Sequence, residues 1–116
     1  MSELYEQCKQ YIKAHRIELI TKFADPSIYL PVDNPIAYFM AGSPGAGKTE
    51  TSKSFIKELE EKEPARKVVR IDVDEVRDFI PLYDHTNATE VQGGAGLGVQ
   101  KLLDHVFDHG QDFLLD

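Results

Sequence analysis

A single cysteine, Cys8, stands among the 116 residues. Without a second thiol the chain can form no internal disulfide, which suits a reducing compartment and a cytoplasmic protein. Cys8 falls among the apolar positions of a predicted helix and reads as core filler rather than a reactive thiol. No apolar run approaches the roughly 20 residues of a membrane-spanning helix, so no membrane partner is expected. The first residues, with Glu3 and Glu6, lack the basic and apolar stretches of a secretory leader. Positive charge is also scarce. Thirteen Lys and Arg face 20 Asp and Glu, a net charge of −7, which argues against a nucleic-acid backbone as the main partner. His15, His105 and His109 lie on predicted helices without paired metal-ligand spacing, and surface positions are expected for them. There is no Asn-Lys-x-Asp segment of the kind a GTPase uses to read its base. What remains, 41% hydrophobic and 28% charged, is the composition of one small globular domain.

The most informative stretch is Gly42-Ser43-Pro44-Gly45-Ala46-Gly47-Lys48-Thr49. It matches G-x-x-x-x-G-K-[ST], the phosphate-binding P-loop. Its flanks strengthen it. Ile36 to Ala41 is a short apolar run that predicts a buried parallel strand. Lys48 to Glu63 predicts a helix, with Phe55, Ile56 and Leu59 on one face. The glycines let loop amides point at a polyphosphate, aided by the positive end of the helix dipole. Lys48 reaches the outer phosphates, and the Thr49 hydroxyl suits the Mg²⁺ that travels with a nucleotide. Residues 42–50, through Glu50, are therefore the expected site for ATP or GTP.

Elsewhere, Leu4, Cys8, Ile12, Leu19 and Phe23 recur at helical spacing and predict one amphipathic helix from Ser2 to Phe23, ended by Asp25-Pro26. It is expected to pack on the sheet, with partner binding as the alternative. Tyr29 to Pro35 reads as an extended loop. Residues 1–35 form an N-terminal addition on this division, and 36–116 the P-loop core. Lys67 to Asp72 predicts a second strand, Glu75 to Ile80 a short helix, and Pro81 to His85 a loop. Asn87 and Glu90 have capping-box spacing. The apolar face of Val99, Leu102, Leu103, Val106 and Phe107 predicts a helix, with Gly110 as its cap. Gly93, Gly94, Gly96 and Gly98 interrupt that segment. Each glycine costs about 1 kcal/mol relative to alanine, so a break, kink or loosened helix is expected there. Asp112 to Asp116 predicts a third strand that closes on an acid, the form of a Walker B element whose carboxylate holds Mg²⁺.

In parallel sheets of this kind, ligands bind beyond the carboxyl ends of the strands. That places Asp72 and Asp74 on the rim that carries the P-loop. A carboxylate there can aim an acceptor hydroxyl and take its proton. It can equally be a helix cap, with Asp74 capping from Glu75 onward. His85 follows in the adjoining loop.

The P-loop, the Asp72-x-Asp74-x-x-Arg77 segment and the Phe113-Leu114-Leu115-Asp116 strand together resemble P-loop small-molecule kinases, and most closely the zeta-toxin family. Those are bacterial kinases that phosphorylate the 3′-hydroxyl of the amino sugar in UDP-N-acetylglucosamine. The resemblance runs from about Ile36 to Asp116. It implies an α/β fold, a P-loop NTPase-type parallel sheet flanked by helices, here as a partial three-strand version with an N-terminal amphipathic helix. It implies Asp74 and Lys48 as catalytic groups, Asp72, Asp74 and Arg77 at the substrate, Thr49 and Asp116 at the metal, a nucleotide-sugar substrate and an antitoxin partner. Family members continue further and carry later arginines that stabilise the transferring phosphate. The chain is thus expected to be an N-terminal portion that transfers phosphate poorly, with Arg77 as the arginine at the site. Polynucleotide and other small kinases share the Asp-x-Asp arrangement and stay open. So do a nucleotide-hydrolysing switch and a non-catalytic interaction module.

Overall fold

The structure is a computed structural model that describes residues 3–40 and 48–116, the side chains of residues 48 and 49 excepted. In chain order the elements are α1 (Glu3–Ala14), α2 (Arg16–Ala24), β1 (Ala37–Phe39), α3 (Lys48–Lys62), β2 (Val69–Ile71), α4 (Val73–Phe79), α5 (Ala88–His109) and β3 (Phe113–Leu115). The strands form one parallel sheet in the order β1-β3-β2. Tyr38 and Arg70 both pair with Leu114. Because side chains alternate along a strand, these three share one face. Tyr38 there meets Phe55 of α3 edge-on at 5.3 Å. Val69, Ile71 and Phe113 turn to the other face and join one core with residues of α1, α2, α4 and α5. Helices therefore cover both faces.

The N-terminal segment is two helices rather than one. His15 leaves the helical region with φ −112° and ψ 28°, and its ring stacks on Tyr11 at 3.9 Å. The bend lets Cys8 and Ile12 of α1 and Leu19 and Ala24 of α2 enter the same core. All four have no exposed surface. An unbroken helix would carry its second half away from the sheet.

The glycine segment, by contrast, is unbroken where a break or kink was expected: α5 runs 22 residues without interruption. Gly93 and Gly94 face α1 and Gly98 faces α4, whereas Gly96 faces neither. A Cβ at Gly94 would lie 2.8 Å from the Cys8 Cβ, and one at Gly98 would lie 2.6 Å from the Val76 Cγ1. The helices approach too closely for a side chain, and the packing gained offsets the helical propensity lost. Asn87 precedes α5 but forms no capping box. Its side chain accepts from the Asp84 N–H at 3.1 Å and donates to the Leu82 carbonyl at 2.9 Å. Gly110 ends α5 in the left-handed region, as the sequence predicts. β1 departs from expectation too. It is parallel but lies at the sheet edge, and its Phe39 is 69% exposed.

Candidate functional site

Three parallel strands deliver their carboxyl ends to one rim. β1 leads toward α3, β2 ends on Asp72, and β3 ends on Asp116. The Asp116 N–H donates to the Ile71 carbonyl at 2.9 Å, which fastens the last two ends together. Gly42, Ser43, Pro44, Gly45, Ala46 and Gly47 lie outside the described residues. Lys48, Thr49 and Glu50 form the first turn of α3. One turn on, Ser52 is fully buried and donates to Asp116 Oδ2 at 2.8 Å. The helix that starts at the end of the P-loop motif is thus bonded directly to the acid ending β3.

The centre of the rim is Arg70, which the sequence placed only as a strand residue. Its Nε donates to Ser52 Oγ at 2.9 Å, Nη1 to Glu75 Oε1 at 2.7 Å and Nη2 to Asp72 Oδ2 at 2.8 Å. Nη2 also bonds Asp116 Oδ2. The side chains of Arg70, Asp72 and Asp116 are 10%, 8% and 1% exposed. Burial of the guanidinium works against its charge, but the bonds to Asp116 and Asp72 outweigh it, and the pKa of Arg70 is raised. The signal was present in the sequence: a lone arginine between Val69 and Ile71 must project from the face opposite theirs. What it meets there depends on β3 and α3, which the strand itself does not reveal.

Asp72 and Asp74 have different surroundings. Asp72, not Asp74, caps α4: its Oδ1 accepts from the Asp74 N–H at 2.9 Å. Asp74 stands at the rim with its side chain 67% exposed and pairs with Arg77. Arg77 also donates to Gln92 Oε1 at 3.1 Å and lies over the Tyr83 ring at 5.9 Å. His85 has a left-handed backbone, and its ring stands 4.5 Å from that of Tyr83. The substrate-side candidates Asp72, Asp74 and Arg77 therefore lie along α4 and at its cap, and the metal-side candidate Asp116 at the end of β3. His105 was expected at the surface but is buried.

Among the described residues no group of three or more His, Cys, Asp or Glu side chains is arranged to hold a metal by itself. Magnesium in phosphotransfer sites typically takes one or two carboxylates, with phosphates and waters as its other ligands. Asp116, an oxygen donor at a strand end beside the first turns of α3, fits that pattern, and the Thr49 hydroxyl is the second candidate.

The fold and rim define an α/β protein of the P-loop type, with the P-loop sequence motif running into α3 and acids at the ends of the next two strands. The chain belongs to the zeta toxin family, whose model matches residues 7–116. A solved structure from the PezAT chromosomal toxin–antitoxin system of Streptococcus pneumoniae is similar to it, with a TM-score of 0.63 over 99% of this chain and 22% identity. At that identity the likeness shows the fold. The match covers 45% of that neighbour, so the chain spans less than half its length. No curated protein was found to match.

Proposed function

We propose that this chain carries the nucleotide side of a zeta-toxin-type kinase, which transfers the γ-phosphoryl group of ATP, or GTP, to a sugar hydroxyl of UDP-N-acetylglucosamine within a bacterial toxin–antitoxin system. The observation that carries this reading is the exposed carboxylate of Asp74 on the rim shared by Asp116 and the start of α3. Phosphoryl transfer requires a fixed γ-phosphate, neutralised charge and an acceptor hydroxyl aimed in line. Residues 42–50 serve the first need, with Lys48 at the outer phosphates. Asp116 and Thr49 would hold magnesium, which supplies charge neutralisation on the phosphates when bound. Asp74 takes the hydroxyl proton as the new O–P bond forms and the nucleoside diphosphate leaves. Arg77 holds Asp74 in place and borders the substrate. Asp72 caps α4, the helix from which both project. An antitoxin is the protein partner of this reading.

The test is release of the nucleoside diphosphate from Mg-ATP, with and without UDP-N-acetylglucosamine. Turnover should require the acceptor. Asp74→Asn should retain nucleotide affinity but lower turnover about 10²-fold or more, as loss of a general base does. Lys48→Ala should weaken nucleotide binding in calorimetry. Turnover indifferent to any hydroxyl acceptor would make the chain a hydrolytic switch, and absence of nucleotide binding would make it an interaction module.

A further inference from the structure

Arg70 stands at the centre of the rim, and the proposed chemistry does not use it. Its side chain is 10% exposed, and its single guanidinium joins Asp72, Glu75 and Asp116 and also bonds the Ser52 hydroxyl. Three acids from three elements converge on one cation: Asp72 at the end of β2, Glu75 in α4 and Asp116 at the end of β3. Without a positive charge between them, carboxylates this close would repel each other and turn toward water.

We propose that Arg70 is a positioning residue and built-in counter-ion, which sets the rotamers of Asp72 and Asp116 and keeps free divalent cations out of the rim. Two physical reasons support this. The planar guanidinium fork directs separate N–H groups at separate carboxylates, so it fixes their directions as well as balancing their charge. Its positive charge, in direct contact with Asp72, Glu75 and Asp116, also opposes entry of a bare dication into the same low-dielectric space. Magnesium would then be admitted only in the company of phosphate groups, whose negative charge outweighs that of Arg70. The inference extends the kinase reading, through the assignment of Asp116 to the metal side, but its test requires neither ATP nor acceptor.

The experiment is thermal unfolding of the intact chain in chelator and in millimolar magnesium, for wild type, Arg70→Met, Arg70→Lys and Arg70→Met/Asp116→Asn. Wild type should melt at the same temperature in both solutions. Arg70→Met should melt lower in chelator, by roughly 10 °C or more, because removing one member of a buried ionic cluster leaves uncompensated charge. Magnesium should restore part of that loss, since the bare acids now accept the ion. The additional Asp116→Asn change should weaken the restoration. Arg70→Lys should show an intermediate midpoint and a smaller gain from magnesium, because an ammonium lacks the fork, and it decides the matter if Arg70→Met does not fold. The proposal is overturned if wild type gains from magnesium as much as the variants do. It is also overturned if magnesium leaves both Arg70 variants unchanged, or if Arg70→Lys melts as wild type does in both solutions.

Discussion

His105 shows how burial converts a residue into a pH-dependent term of the fold. It lies in α5 with its ring stacked on His109 at 4.0 Å and is only 6% exposed. Burial pushes its pKa down, and His109 adds to this. The Ala24 carbonyl pulls it up, Arg16 pushes it down again, and Asp108 draws it up. The unfolded chain takes up this proton near the ordinary value of 6.5, whereas the folded chain does so only at lower pH. Stability from this group is therefore fully present above that value and is lost as the pH falls below it toward the folded pKa. The thermal midpoint of wild type should fall between about pH 7 and about pH 5.5, above the range in which ordinary carboxylates titrate. In His105→Leu that decline should be smaller, and a decline equal to that of wild type would show that His105 does not cause it. The sequence suggested a surface histidine because helical position alone was available. The burial of His105 comes from α2 and the segment after it, where Gln111 bonds the Ala24 and Tyr29 carbonyls. Acids at strand ends were legible at residue scale, since topology alone sends Asp72 and Asp116 to the rim. The arginine between them was not, because its meaning depends on α3 and β3, two elements distant in sequence.

At the scale of an element, α5 separates local preference from tertiary packing. Four glycines in six residues predict a weak point, and by propensity alone that is right. The fold overrides it because α1 approaches along the line of Gly94. The same helix contains its own control, since a Cβ at Gly96 would meet nothing within 4 Å. Gly96→Ala should therefore stabilise the chain by up to about 1 kcal/mol through helical propensity. A Cβ at Gly94 would lie 2.8 Å from the Cys8 Cβ and 2.9 Å from the Cys8 backbone carbon, and neither is the end of a flexible side chain. Gly94→Ala should cost about 1–3 kcal/mol, as overpacking of a filled core does. Urea midpoints of the two variants would then move in opposite directions. A Gly94→Ala variant as stable as Gly96→Ala would mean that α1 and α5 are less closely engaged than the structure shows. Strand positions, the α3 span and the Gly110 cap were readable from period and punctuation, because each is set by neighbouring residues. The division between α1 and α2 was not, since it answers to the shape of the core.

For the whole molecule, the sheet is fastened at both ends by an arginine and an aspartate. At the rim it is Arg70 with Asp116. At the opposite end Asp112, which the sequence marked only as the start of a strand, is 3% exposed. Its Oδ1 accepts from the Ile36 N–H at 2.8 Å and from Arg66 Nη2 at 2.8 Å, and its Oδ2 accepts from Arg66 Nε at 2.8 Å. The Asp112 carbonyl accepts from the Val69 N–H at 2.9 Å. One residue therefore joins the approach to β1, the start of β2 and the start of β3. This is most consequential for β1, the largely exposed edge strand. Asp112→Asn preserves the shape and can still accept from Ile36, but an amide N–H₂ turned toward Arg66 sets donor against donor. The expected cost is about 1–3 kcal/mol. It falls below the figure for a fully enclosed pair because Arg66 is 27% exposed and can turn to water. Glu63 touches the same guanidinium at 4.0 Å with its side chain 67% exposed, and Glu63→Gln should cost well under 1 kcal/mol. Urea midpoints would rank the two, and amide exchange at Met40, which donates to the Leu115 carbonyl at 3.1 Å, would report on β1 directly. If Asp112 anchors the edge strand, exchange there should quicken in Asp112→Asn by more than the global loss of stability accounts for. Exchange that rises only in step with global unfolding would show that β1 is held by its ladder alone.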